Sequence, residues 1–324
     1  MALENASSQK SNATVDIVKL IMAFLVVGIH TEPFGGNFWL DKGFGIITRM
    51  CVPFFFVASS YFFFRKEGNP FKYVKRLFLL YALWSLIYLP FDIPELVTMS
   101  VPQILVRYLW TGNDHALWYL CGSIVGFLIV YLISRFLRPG KVLILSLVFL
   151  LIGCLKSTYA PVWEELFSIQ IIDFLGSRNG LFYAFPYYAV GLFIAKRDPA
   201  PTPRLVRNVV GFAFSLLLLC VESVLLVLVF HAETTILWIS VFPLIYNLFM
   251  IVLHLRIPLD SKYSRLIRQL STIIYVTHGL YMILFSSLQY WQAFLAVSVT
   301  AAVIGSLVIL LSQTRAFRWL KVFY

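Results

Sequence analysis

The chain of 324 residues is 60% hydrophobic and only 13% charged, and its mean hydropathy is +0.85. Soluble domains are about 25% charged, so this composition excludes an ordinary soluble enzyme and predicts a polytopic membrane protein. The net charge of +11 would indicate a nucleic-acid partner in a soluble protein, but here the cations fall in short segments between apolar stretches, and no nucleic-acid partner is expected.

The predicted elements begin with a polar segment, residues 1–13, and end with a short basic tail, residues 313–324. Between them, a single membrane domain (14–312) holds ten apolar stretches of about 15–23 residues, long enough to cross a hydrocarbon layer of about 30 Å. We therefore predict an all-α polytopic membrane protein with about ten transmembrane helices. The stretches are 14–31, 46–64, 77–91, 116–134, 142–156, 181–195, 208–230, 236–253, 270–288 and 294–312.

The charges between these stretches predict the orientation. If the N-terminus is cytoplasmic, the segments on that side hold 20 of the 26 Lys and Arg residues, and the outer segments hold only five. Because positive residues concentrate on the cytoplasmic side, both termini are predicted to be cytoplasmic. The longest outer connections, 32–45, 92–115 and 157–180, are rich in Pro and aromatic residues and are predicted to contain interfacial anchors or short helices that line a cavity.

The first stretch carries the strongest functional signal. Lys19 and His30 are eleven residues apart, which returns to nearly the same helix face about 16 Å further along the axis. Ionisable groups inside a membrane span are costly and usually mark a function. The structural alternatives are a lysine that reaches the cytoplasmic surface and a histidine that is satisfied at the membrane interface.

Two groups of residues in and after the second stretch are further candidates. Ser59 lies in a dense aromatic run, where it is either a ligand contact or a packing notch between helices. Lys72, Lys75 and Arg76 have spacings that share one helix face at the predicted cytoplasmic surface. Such a face can hold phosphate groups, and the alternative is the ordinary positive charge of cytoplasmic segments.

Five later residues are weaker candidates for contacts with an acceptor or a thioester. Trp118 lies in the fourth stretch, and Arg178 is one of the few outer cations. Glu222 lies within the seventh stretch, where a carboxylate must be paired, protonated or hydrated. Tyr275 and His278 share one face of the ninth stretch, where a structural hydrogen-bonded pair is the alternative. The four cysteines lack paired spacing and no metal-ligand spacing occurs, so neither disulfides nor a metal site are expected.

Together, these residues resemble the acyltransferase 3 family of ten-span bacterial membrane proteins. The first-helix pattern of that family, a basic residue, ten residues and then His, is matched by Lys19 and His30, although Lys stands where Arg is commoner. The other similar motifs are the 53–61 run, the cations at 72–76, the 117–120 segment, and Tyr275 with His278.

Two segments resemble one subgroup in particular. Ile29–Phe34 and Arg178–Phe182 are similar to the membrane domain of the membrane-bound serine racemases linked to vancomycin resistance. Those proteins carry a racemase domain as well, and we expect none in this chain.

The resemblance implies transfer of an acyl group from cytoplasmic acyl-CoA, with acetyl-CoA as the expected donor, to a hydroxyl of a cell-envelope glycan or a related small extracytoplasmic acceptor. It implies that His30 is the general base, which suits an imidazole with an ordinary pKa near 6.5. Lys19 would line the coenzyme tunnel, and the cations at 72, 75 and 76 would bind the coenzyme phosphates.

The same resemblance implies a multi-pass protein of the bacterial cytoplasmic membrane, with the lipid bilayer as partner and a homodimer as one expected assembly. Two alternatives stay open. The chain could transport a small amino acid such as serine, or a glycan precursor, or it could be an inactive packing partner in a cell-envelope assembly. Transport predicts substrate accumulation without consumption of coenzyme A, whereas acyl transfer predicts acceptor-dependent release of coenzyme A.

Overall fold

The computed structural model of the protein describes residues 12–113, 117–171, 173, 176–197, 205–232 and 236–324. Most of the predicted polar N-terminal segment therefore lies outside the described residues, which contain helices and no strands. The α-helices are α1 (Ala13–Thr31), α2 (Phe38–Thr48), α3 (Cys51–Arg65), α4 (Pro70–Leu96), α5 (Val101–Val106), α6 (Trp118–Ile133), α7 (Pro139–Leu155), α8 (Ala160–Phe167), α9 (Phe185–Lys196), α10 (Leu205–Ser223), α11 (Val241–His254), α12 (Ser261–Leu284) and α13 (Tyr290–Leu311).

Four shorter helical segments complete the described chain. Arg107–Thr111, Gly180–Ala184 and Val224–Val229 are wider π-type turns that extend α5, precede α9 and extend α10. Arg318–Phe323 forms a final 3₁₀ helix in the predicted basic tail. The long connections contain the short helices α2, α5 and α8, and of these three only α2 lines a cavity described below.

The all-helical class is confirmed, and the long apolar helices are those of a multi-pass membrane protein. Within the described residues, five helical segments are long and apolar enough to cross a membrane, and the pair α7–α8, bent by 61°, raises the number to six. Each of the ten predicted stretches overlaps a helix, but α6, α9 and α11 have only 16, 12 and 14 residues. The count of ten spans and the orientation of the termini therefore stay predictions.

The ends of α1 are fixed by local chemistry. The Asn12 side chain accepts hydrogen bonds from the backbone N–H groups of Thr14 (3.1 Å) and Val15 (3.4 Å), which caps the start of the helix. At the other end, Glu32 adopts a left-handed conformation (φ 46°) and donates its N–H to the Gly28 carbonyl at 3.0 Å. His30 is thereby placed in the last turn of α1.

The packing of α3 against α9 forms the centre of the bundle. Gly191 makes this approach possible, because a Cβ atom at this position would lie 2.5 Å from Ser60 Cβ and 2.6 Å from the Val57 carbonyl oxygen. The Ser60 hydroxyl donates to the Tyr188 carbonyl at 2.5 Å, which satisfies a buried polar group. The packing notch of the aromatic run is therefore Ser60. Around this centre, α1 packs on α12 and α10 packs on α11.

A buried carboxylate holds the connection between α4 and α6. Asp92 accepts hydrogen bonds from Arg107 (3.4 Å), Tyr108 (3.1 Å) and Asn113 (2.6 Å), and Arg107 also pairs with Glu95 at 2.7 Å. Burial, and then the charge of Asp92, raise the pKa of Tyr108 to about 12, so its hydroxyl keeps the proton that it donates.

Candidate active site

A cavity of about 430 Å³ lies at the end of the bundle where α1 stops. Four of the residues predicted from the sequence line it: His30, Trp118, Arg178 and Tyr275. They come from α1, α6, the turn before α9, and α12, so the fold brings together side chains that are far apart in the chain. His30 also borders a second cavity of about 330 Å³ beside the turn between α12 and α13.

The predicted residue His278 lies directly behind His30. The centroids of the two imidazole rings are 5.2 Å apart, and the ring planes are inclined by 34°. His278 Nδ1 lies 2.6 Å from the Tyr275 carbonyl oxygen, which only accepts hydrogen bonds, so Nδ1 carries the proton. His278 Nε2 is buried and forms no hydrogen bond with any of the described residues. His278 therefore places a buried acceptor nitrogen, Nε2, beside His30.

A tyrosine from α4 interrupts α12 at this point. The Tyr88 hydroxyl donates to the Val276 carbonyl at 2.9 Å and accepts the Leu280 N–H at 2.9 Å. A side chain inserted between these two backbone groups locally opens the helix. His278 lies between the two bridged residues, so Tyr88 fixes the segment of α12 that carries it.

The turn before α9 places Arg178 at the cavity. The Asn179 side chain accepts hydrogen bonds from the N–H groups of Leu181 (2.9 Å) and Phe182 (3.0 Å), which caps the following helical turn. The Arg178 guanidinium lies 5.5 Å from the centroid of the Trp118 ring. It is within electrostatic range of His30 and Tyr275.

Arg49 and Trp238 line this cavity but were not predicted as site residues. Arg49 follows α2, lines the cavity and lies 5.5 Å from the centroid of the Trp238 ring. The only signal in the sequence was that Arg49 is one of five cations in the outer segments. Its contact with Trp238 depends on how α2 packs in the fold, which no local pattern encodes.

Lys19 lies at the opposite end of α1 and belongs to a cluster of cations. It is half-buried and within electrostatic range of Arg76, Arg268 and Asp16. The Asp16 carboxylate accepts a hydrogen bond from Ser264 Oγ at 2.6 Å and lies 3.5 Å from Arg268 Nη1. We name Lys19, Arg76 and Arg268 the cation cluster; Arg268 was not predicted as a site residue.

The predicted phosphate-binding residues lie on the first turns of α4. Asn69 caps this helix by accepting the Lys72 N–H at 3.0 Å, so Lys72, Lys75 and Arg76 are helical rather than in a loop. All three side chains are exposed. Of these three residues, Arg76 belongs to the cation cluster.

A line of buried and half-buried hydroxyl groups runs between the two ends of the bundle. Tyr73 lies within electrostatic range of Arg76, and its hydroxyl oxygen is 2.9 Å from that of Tyr188. The Ser59 side chain lies close to those of Tyr73 and Tyr119. The Tyr119 ring is 5.0 Å from that of Tyr275, which borders the cavity. We name Tyr73, Ser59, Tyr119 and Tyr275 the hydroxyl line. Ser59 thus lies on the line and outside the cavity.

Glu222 does not reach the cavity. Its carboxylate accepts the backbone N–H groups of Ile239 (2.8 Å) and Ser240 (3.0 Å), which lie just before α11. It also accepts the hydroxyls of Tyr159 and Ser240. The carboxylate that the sequence pointed to therefore ties α10 to the start of α11. Within the described residues, no group of three or more His, Cys, Asp or Glu side chains is arranged to hold a metal ion.

Comparison with known protein families identifies the family to which the chain belongs. A family model for an acyltransferase domain matches residues 12–320, nearly the whole chain. The chain belongs to the acyltransferase 3 family. The resemblance inferred from Lys19, His30 and the later motifs is thereby confirmed. No solved structure matches this acyltransferase 3 protein significantly.

The curated relatives of this acyltransferase 3 protein are longer proteins. Two amino-acid racemases of Enterococcus faecalis are 25% and 23% identical to it over 271 and 298 residues, and a serine/alanine racemase of Enterococcus gallinarum is 27% identical over 239 residues. These alignments cover 77%, 85% and 65% of this chain but only 37%, 41% and 33% of the relatives. The chain therefore spans well under half of their length.

Proposed function

We propose that this protein transfers an acyl group, with acetyl as the expected group, from acyl-CoA to a hydroxyl of an extracytoplasmic acceptor such as a cell-envelope glycan. Membership of the acyltransferase 3 family supports a transferase. The observation that carries the finer proposal is the hydroxyl line, which joins the cation cluster at one end of the bundle to the His30–His278 pair at the other.

The donor binds at the cation cluster. Arg76 and Arg268 supply planar donors for phosphate oxygens, and Lys19 adds a point charge. Lys72 and Lys75 extend the positive surface on α4. The pantetheine arm carries amide and hydroxyl groups, so it pairs with the hydroxyl line as it extends between the helices towards His30. The donor then reaches the cavity without crossing the bilayer.

The chemistry takes place at His30. Its imidazole accepts the proton of the acceptor hydroxyl as the oxygen attacks the thioester carbonyl carbon. A C–O bond forms and the C–S bond breaks, and the departing thiolate takes the proton back from the imidazolium. The products are the acyl ester and free coenzyme A. His278 acts as a positioning residue: its buried Nε2 lies beside His30 and would accept a hydrogen bond from the His30 ring during the reaction, which would leave the other His30 nitrogen for the acceptor hydroxyl.

Acetyl transfer in lipid nanodiscs tests this proposal. The wild-type protein is expected to release coenzyme A from acetyl-CoA only when an acceptor is present. His30→Gln should lower kcat by about 100-fold or more, which is the usual contribution of a general base. His254→Gln, an exposed imidazole at the end of α11, is the matched control and should keep the wild-type rate. A folded His30→Gln protein with full activity contradicts the proposed base.

Transport of a small amino acid is the second candidate, because the curated relatives are named as amino-acid and serine/alanine racemases. It predicts that proteoliposomes accumulate or exchange radiolabelled serine while coenzyme A stays acylated. Acceptor-dependent release of coenzyme A without serine accumulation favours the transferase.

A further inference from the structure

His30 borders two cavities whose walls differ in chemistry. The first cavity, of about 430 Å³, is lined in part by charged side chains such as Asp41 and Lys42. The second, of about 330 Å³, lies between the end of α1, the end of α12 and the start of α13. His30 and Glu32 line both cavities. A group that reacts at His30 therefore has two spaces into which its substituents can extend.

The buried wall of the second cavity is apolar. Val297 and Ala293 of α13 are only 1% and 9% exposed, and Met282 of α12 is half-buried beside them. Thr31 is the buried polar residue of this wall, and its hydroxyl donates to the Val27 carbonyl at 3.0 Å. Because this hydroxyl is already bonded within α1, it does not require a polar partner from a ligand.

The other polar side chains of the second cavity lie at its exposed rim. They are those of Glu32, Ser286, Gln289 and Tyr290. Within the part of the chain that the structure describes, no Lys or Arg lines this cavity. An apolar wall with a few polar groups is the usual form of a pocket for a largely apolar ligand. The second cavity therefore suits an apolar group, whereas the first suits a polar one.

The rim of the second cavity is held by a close contact between two turns. Glu32 and Tyr290 both have left-handed backbone conformations, with φ angles of 46° and 52°. The Tyr290 ring packs on Gly35, where a Cβ atom would lie 2.4 Å from Tyr290 Cε1. Residues other than glycine keep this costly conformation where the surrounding structure requires it. The turn after α1 and the start of α13 are thus fixed against each other beside the cavity.

A thioester at His30 has three groups to place: the sulfur, the attacking hydroxyl and the acyl chain. The hydroxyl line reaches the first cavity at Tyr275, so the sulfur of the donor arrives there. A polar acceptor suits the same cavity. The acyl chain is then left to the second cavity, the other space that His30 borders.

The size of the second cavity indicates a chain longer than acetyl. A methyl group is about as large as a water molecule, which takes up about 30 Å³ in the liquid. The single methyl group of acetyl would leave most of the 330 Å³ unfilled. We propose that the second cavity binds the acyl chain of the donor, and that this chain is apolar and has more than two carbons. This inference rests on the proposed function, which supplies the acyl-CoA donor.

The test compares coenzyme A with its acetyl, butyryl and hexanoyl thioesters. Isothermal titration calorimetry measures their binding to the full chain in nanodiscs without an acceptor, and empty nanodiscs give the binding to lipid. Each buried methylene strengthens binding by about fourfold, so butyryl-CoA should bind about tenfold or more tightly than acetyl-CoA. Hexanoyl-CoA should bind more tightly still.

Two substitutions in the wall should reduce this gain. Ala293→Leu fills the cavity, so the ratio of hexanoyl-CoA affinity to acetyl-CoA affinity should fall by about tenfold. Met282→Gln places an amide beside the chain and should lower the same ratio by about fivefold. Ala296→Leu is the matched control, because Ala296 is a half-buried residue of α13 that lines neither cavity, and it should keep the wild-type ratio. Each variant must elute as the wild type does in size-exclusion chromatography.

The proposed acyl site is overturned if the longer thioesters bind no more tightly than acetyl-CoA, or if both wall variants keep the wild-type ratio, which would place the chain in lipid or elsewhere in the bundle. Binding of coenzyme A without a gain from the chain removes the acyl site and keeps the donor site. A gain from the chain without acceptor-dependent release of coenzyme A removes the transferase and keeps the acyl site. Absence of binding by coenzyme A and all three thioesters removes both.

Discussion

The imidazole rings of His30 and His278 lie 5.2 Å apart, although they belong to the first and the twelfth α-helix. The bond from His278 Nδ1 to the Tyr275 carbonyl fixes the tautomer of His278 and leaves Nε2 as a buried acceptor. A base that is oriented by a second hydrogen-bonded group is a recurrent arrangement in transferases and hydrolases. This relationship supports the proposed positioning role of His278, which its spacing from Tyr275 alone did not indicate.

Replacement of His278 tests this positioning role. His278→Phe keeps a ring of similar size but removes the acceptor nitrogen, so kcat should fall by about 10–100-fold through misorientation of His30, while the KM for acetyl-CoA stays unchanged. His278→Gln, whose amide oxygen can accept a hydrogen bond, should recover part of the loss. Steady-state kinetics in nanodiscs provide both constants. A His278→Phe protein with a raised KM and full kcat would show that the residue only shapes the donor path.

Neutralising the cation cluster should weaken donor binding. Arg76→Gln and Arg268→Gln each remove a charged donor to phosphate, so the KM for acetyl-CoA should rise by about tenfold. The KM for S-acetylpantetheine, which lacks the nucleotide phosphates, should not change. Arg265→Gln removes an exposed cation from α12 and is the control. Equal effects on both donors would place the coenzyme phosphates elsewhere.

Glu222 should matter for stability rather than for activity. Glu222→Gln replaces an acceptor oxygen with a donor beside two backbone N–H groups, which should cost about 1–3 kcal/mol of stability. We expect a lower unfolding temperature and an unchanged kcat in the folded fraction. Glu165→Gln, an exposed carboxylate on α8, is the control and should leave both quantities unchanged. A loss of kcat without a loss of stability would return Glu222 to the active site.

The close approach of α3 and α9 predicts a second stability effect. Gly191→Ala places a Cβ atom 2.5 Å from Ser60 Cβ and 2.6 Å from a backbone oxygen, and the resulting overpacking should cost about 1–3 kcal/mol. Gly140→Ala in α7 is the control, because no described atom beyond its own stretch of backbone lies within 4 Å of the Cβ position there. Thermal unfolding in detergent compares the two. Equal unfolding temperatures would mean that α3 and α9 can move apart with little loss of stability.

Two parts of the candidate site could be predicted from the sequence, because the residues of each part lie on a single helix. The spacing of Lys19 and His30 follows from helix geometry, and the cations at 72, 75 and 76 follow from the start of a capped helix. Both groups can be read without knowing which helices are neighbours.

The rest depends on long-range packing. Lipid and protein interior are both apolar, so the hydrophobic pattern of a membrane helix does not show which face packs on which neighbour. The contact of His30 with His278 requires α1 to pack on α12, and that of Arg49 with Trp238 depends on the position of α2. Glu222 looked like a site residue because the backbone N–H groups that it binds lie 17 and 18 residues further along the chain.

A cryo-electron microscopy map of the protein in nanodiscs with bound coenzyme A tests the donor path most directly. We expect density for the nucleotide beside Arg76 and Arg268, and density for the pantetheine arm that follows Tyr73, Ser59 and Tyr119 to a thiol beside His30. Coenzyme density that leaves the bundle into lipid, or that ends at the cation cluster with the hydroxyl line closed, would contradict a donor that reaches His30 through the protein.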